Sequence, residues 1–132
     1  MTACRYHKEN GTLTYLSGLS TVSDSHVGSK YPAAIRIHPG GNYLYVSTRG
    51  ENSCLTVFKV DAGGGLERIQ VLDKVPAWPR EFNLDPSGKI LLIAGERSDE
   101  IALYHINEET GKLSGGTSRV TLPAPASILF IE

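Results

Sequence analysis

The chain has 132 residues, of which 40% are hydrophobic and 20% charged, and its formal net charge is −1. That balance describes one soluble globular domain with its own core, and it leaves no basic footprint for nucleic acid or a membrane surface. Apolar runs reach only about five residues, too short to span a bilayer, and MTACRYHKENGTL has no apolar segment of signal-peptide length. Two cysteines, Cys4 and Cys54, are too few for a disulfide framework, so the expectation is free thiols in a reducing, cytoplasmic setting.

In chain order, residues near 2–7 and 13–19 read as two strands around the turn HKENGT. The polar stretch Ser20 to Lys30 follows, read as the loosest part of the chain, an extended connecting loop. AAIRI, YLYVS, CLTVFKV and LERIQVL then read as four strands, by alternation or as compact apolar runs. PGGN, TRGENS and DAGGG punctuate them with turn residues. EFNLD, ILLIA, IALYHI and SRVTL form a second set, separated by PSGK, ERSDE and EETGK. PASILFI supplies one last predicted strand at about 127–131. No stretch keeps helical spacing over three turns.

The two sets are copies of one unit. Pro32 recurs as Pro79, His38-Pro39 as Asp85-Pro86, Gly41 as Gly88, Leu44 as Leu91 and Leu66 as Leu113, all 47 positions apart. Four short strands in such a period are the signature of a propeller blade, and a β-sandwich with an accidental duplication is the alternative. The fold class is therefore all-β, a partial β-propeller built from blades of four antiparallel strands, a to d from the channel outwards. One domain, 1–132, divides into strands c and d plus a loop (1–30), two full blades (31–77 and 78–124) and the first strand of a further blade (125–132). Two blades and three orphan strands cannot close a ring, so partner blades must come from self-association or from a longer chain.

Antiparallel order then decides which loops meet. The a–b and c–d turns share one end, while the b–c loops and the segments entering strand a share the other. Tyr31, Arg49, Glu51, Arg80, Glu81, Glu96 and Arg97 fall at that second end, near the channel. Structural readings stand beside chemical ones: the Arg80 stem can cover Trp78, Arg49 can pair with Glu51, and Glu96 to Glu100 can be a solvated charge cluster. His38 and its counterpart Asp85 read as caps of the a–b turn. The functional alternative is an anion-binding mouth, since a guanidinium fork grips carboxylate or phosphate and also stabilises charge growing on an ester oxygen. GxSxG, P-loop and GxGxxG motifs are missing, and four scattered histidines make no metal cluster, so neither metal nor cofactor is expected.

HPGGNYLYVSTRGENSCLTVFKVD, followed by VPAWPREFNLDPSGKILLIAGERSDEIALYHINEETGKL, resembles the seven-bladed propeller lactonase family, which includes the propeller-type 6-phosphogluconolactonases and the fungal muconate-lactonizing enzymes. The resemblance covers essentially the whole chain and matches the family's last blades. It implies hydrolysis of a sugar lactone such as 6-phosphogluconolactone in a cleft at one end of the channel. The family's arginine in the YVSNRG loop matches Arg49, and that of its PRDF segment matches Arg80, which makes these two the catalytic candidates. Tyr31, Glu81 and Glu96 are the candidate substrate-binding residues around a small anionic lactone, and Glu81 or Glu96 is within geometric reach of a general-base role. Thr48 replaces the usual Asn, and LLIAGE replaces LLVANQ. The His and Glu of the family's site have no match here, and a non-catalytic binding or scaffold module is the alternative function.

Overall fold

The structure, a computed structural model, describes residues 1–131. It contains β1 (Thr2–His7), β2 (Thr12–Gly18), β3 (Tyr31–Ile37), β4 (Tyr43–Arg49), β5 (Cys54–Val60), β6 (Leu66–Asp73), β7 (Pro79–Leu84), β8 (Ile90–Gly95), β9 (Glu100–Ile106) and β10 (Leu113–Thr121). Two four-stranded antiparallel sheets, β3-β4-β5-β6 and β7-β8-β9-β10, stand beside the hairpin β1-β2. These are propeller blades not closed into a ring. No helix among the described residues is long and apolar enough to cross a membrane.

Alternation sets the faces. Along β4, Tyr43, Tyr45, Ser47 and Arg49 point one way, and Leu44, Val46 and Thr48 the other. Tyr45 and Val57 are register partners on the first face, which joins Phe82, Leu84, Leu91 and Ile93 of the second blade in one core. Burying a side chain such as Phe82, fully buried here, contributes about 1.5–3 kcal/mol. Polar stitches fix the stacking: the Tyr45 hydroxyl donates to the Gly111 carbonyl at 2.9 Å, and Gln70 exchanges two hydrogen bonds with the Leu113 backbone.

The turn-cap reading of His38 and Asp85 describes their bonds. His38 Nδ1 accepts from the Gly40 amide at 3.0 Å, so Nε2 carries the proton and donates to Gly88 O, also at 3.0 Å, in the next blade. Asp85 accepts from the amides of Ser87 and Ile90. Burial alone would raise its carboxyl, yet the Ser87 hydroxyl, with these amides, holds it below its ordinary range.

Two expectations change. Ser20 to Lys30 is not loose: Thr21 and Val22 are buried, and the Thr21 carbonyl accepts from the Thr48 and Thr56 hydroxyls at 3.2 and 2.8 Å. Arg68 donates to Val22 O and, at 2.8 Å, to Asp24, whose carboxyl its guanidinium holds below the ordinary range. Hydroxyls on an otherwise apolar sheet face need acceptors, and the connection supplies them. Second, the C-terminal piece forms no strand over 125–131; Glu132 lies outside the described residues. A first strand needs a second to pair with, and this chain has none there. The piece still lies alongside β7, because Asn83 Nδ2 donates to Ile128 O at 3.1 Å. Asn83 and Ile128 stand 47 positions after Arg36 and Glu81, which pair at 2.8 Å between the two blades.

Candidate functional site

Arg49 ends β4 opposite Tyr31, its register partner at the head of β3. Both lie on the strand face turned toward the second blade, whose entry segment begins at Val75. Trp78 stands between them: its ring centroid is 6.1 Å from that of Tyr31, and the Arg49 guanidinium carbon is 5.5 Å from it. Arg97, from the loop after β8, stacks on the same ring at 3.5 Å. Arg80 is the residue set out by the bulge between Pro79 and Glu81, a device that re-aims a side chain. Its Nη1 lies 3.7 Å from Glu96 Oε2.

Four of the five candidates therefore join one chain of neighbours. Tyr31 and Arg49 meet at Trp78, the Glu96 amide donates to the Trp78 carbonyl at 3.3 Å, and Glu96 faces Arg80. Glu81 does not join them. Its Oε1 accepts from Arg36 and from the Phe82 amide at 3.0 Å, so it serves the contact between blades. Glu51 also turns away, taking the Ser29 amide at 2.7 Å and the Ser29 hydroxyl at 3.0 Å. These bonds, the backbone one foremost, hold its carboxyl below the usual glutamate range. Arg49 thus lacks the Glu51 partner considered for it, and the ring of Trp78 carries the guanidiniums of Arg97 and Arg49.

Trp78 and Arg97 belong to this cluster; sequence reasoning placed Arg97 at this end of the molecule without making it a site candidate, and gave Trp78 no place in the site. The available signals were the chain's single tryptophan directly before the PR pair, and the position of Arg97 two residues beyond β8. Trp78 has φ 59°, a left-handed conformation that costs a bulky residue about 1–2 kcal/mol. Two polar atoms of the cluster, Arg49 Nε and Glu96 Oε2, are buried with no hydrogen-bond partner among the described residues. Each such atom costs about 1–3 kcal/mol unless a ligand meets it. Three guanidiniums face one carboxylate, so the mouth is positive. Its donors suit an oxygen-rich anion, and the carboxylate oxygen that faces Arg80 without a hydrogen bond suits a hydroxyl or water. No group of three or more His, Cys, Asp or Glu residues among the described residues could hold a metal ion.

The family model described as "Lactonase, 7-bladed beta-propeller" matches residues 1–130. The 6-phosphogluconolactonase of Enterobacter sp. (strain 638) is 35% identical over 107 residues, which cover 81% of this chain and 32% of that protein. That of Bacillus subtilis (strain 168) is 28% identical over 131 residues, covering 98% and 37%. Among solved structures, the Pseudomonas aeruginosa periplasmic gluconolactonase PpgL superposes with a TM-score of 0.92 at 25% identity, over 99% of this chain and 36% of that one. A protein from Lactobacillus plantarum superposes at 0.86 with 34% identity, over 93% and 36%. The chain spans about a third of the length of these relatives. With two stacked blades and a family match along nearly its full length, the chain belongs to the seven-bladed β-propeller lactonase family.

Proposed function

We propose that this chain carries the arginine-lined part of a lactone-hydrolysing site, with a sugar lactone such as 6-phosphogluconolactone as substrate. One observation carries the reading: Arg49 Nε and Glu96 Oε2 are desolvated and have no hydrogen-bond partner among the described residues, in a cluster that also holds Arg97 and Arg80, the latter 3.7 Å from Glu96 Oε2. The names of the relatives support the substrate class. Arg49 and Arg80 bind the anionic group and polarise the lactone carbonyl, while Tyr31 borders the mouth. Water adds to the carbonyl carbon, the ring C–O bond breaks as one water proton passes to the ring oxygen, and a hydroxy carboxylate and the remaining proton leave. Glu81 is committed to Arg36, so Glu96 is the carboxylate this chain offers the incoming water. Further blades, from a longer chain or from other copies, complete the mouth.

Proton release from 6-phosphogluconolactone, followed above its spontaneous opening, tests the activity. The expected result is acceleration by the protein and a loss of roughly a hundredfold in Arg49→Ala. No acceleration by the wild-type chain removes the claim. The short span relative to the family favours a second reading, ligand binding without turnover, which equilibrium titration with 6-phosphogluconate separates from the first.

A further inference from the structure

We propose that Trp78 is the positioning residue of this mouth, holding Arg49 and Arg97 against its ring so that their N–H edges meet an anionic ligand. This rests on reading the mouth as an anion-binding site. A guanidinium stacked on an aromatic ring gives the ring its face and keeps its in-plane donors free. Arg97, at 3.5 Å, stands in that relation to the ring, and Arg49, at 5.5 Å, lies within cation–π range of the same ring. A lone arginine in an exposed loop would sample many rotamers, and the ring removes that freedom before a ligand arrives.

The backbone shows that the placement is enforced. Trp78 is held in the left-handed region from both sides: its amide donates to the Ser53 hydroxyl at 3.2 Å, and its carbonyl accepts from the Glu96 amide. Ser53 belongs to the first blade's b–c loop and Glu96 to the second's. The neighbouring Ala77 is clamped too, its carbonyl by the Arg97 amide at 3.2 Å and its amide by the Ser98 hydroxyl at 2.9 Å. Strain of this kind persists only where the surroundings over-determine it. Packing does not demand it, since Trp78 is half-buried and stands outside the hydrophobic core. The ring therefore ties two loops and two arginines from adjacent blades into one unit.

Trp78 is the chain's only tryptophan, so its fluorescence reports on the site directly. The probe is 6-phosphogluconate, which does not turn over, titrated by fluorescence for the wild type and by calorimetry for wild type and variants. Trp78→Asn removes the ring and keeps a residue at home in the left-handed region. Its melting temperature should equal or exceed the wild-type value while affinity falls roughly tenfold. Trp78→Tyr should recover most of the loss. Arg97→Ala should cost roughly tenfold in the wild type and clearly less beside Trp78→Asn, because the two act through each other. Wild-type affinity in folded Trp78→Asn, or independent losses in the double variant, overturns the positioning role alone. A wild type that binds no 6-phosphogluconate overturns both this role and the anion-site reading. Should Trp78→Asn not fold, Trp78→Tyr crossed with Arg97→Ala makes the same comparison: coupled losses support the role, and independent losses overturn it.

Discussion

Glu51 and Glu96 each follow a b strand, at the same end of the molecule, and their employment is opposite. Glu51 closes the connection over its own blade through Ser29, whereas Glu96 turns a buried oxygen toward Arg80 with no hydrogen bond. The Ser29 bonds lower the Glu51 carboxyl in the folded state, so their stabilisation is fully present above the unfolded glutamate value of about 4.3. It is lost as pH falls through the lowered folded value. Protection of the Ser29 amide from hydrogen exchange, corrected for intrinsic rates, should therefore collapse only below about pH 4. In Glu51→Gln the protection should be weaker at neutral pH and flat with pH; an unchanged profile would remove the latch. The sequence made Glu96 a site candidate and Glu51 a partner for Arg49, but it did not show what holds Glu51. Their difference depends on Ser29, 22 positions earlier, and on where the connection docks.

At the scale of elements, the repeat carried most of the fold into view. Period, turn words and alternation place all ten strands, because each records a local backbone preference. Contacts between elements were less legible. The bond from Arg36 to Glu81 requires knowing which faces of β3 and β7 meet, and the seating of Thr21 requires seeing Thr48 and Thr56 as donors rather than as strand formers. The two c–d turns make the same distinction measurable. Gly64 and Gly111 are repeat-mates with φ 83° and 68°, but a Cβ on Gly64 meets nothing within 4 Å. On Gly111 it would lie 2.3 Å from the Tyr43 ring carbons. Both alanine variants bear the left-handed cost of about 1–2 kcal/mol. Gly111→Ala should lose roughly 1–3 kcal/mol more by urea denaturation. Equal losses would mean that the turn is not packed against Tyr43.

For the whole molecule, the open question is what covers the ends of the stack. Tyr6, Leu13 and Tyr15 on the hairpin, and Ile35 and Ile37 on β3, are exposed, and the hairpin pairs with no other strand among the described residues. Uncovered sheet faces and edges recruit other sheets. Light scattering should report a mass above 14.3 kDa at micromolar concentrations, and Tyr15→Glu combined with Ile37→Glu should lower it. A monodisperse monomer that unfolds cooperatively would contradict the need for partner blades.

The bond from His38 to Gly88 gives the two copies a direction. The first blade carries the hook, His38, and at Gly41 it also carries the counterpart of the eye, Gly88. The second blade has the eye, but Asp85 stands where the hook would be and serves its own turn. A tandem array of the 32–78 unit would therefore repeat the staple at every joint, whereas an array of the 79–125 unit would have none. Two units of one fold would yield one stack fastened at each step and another without that fastening.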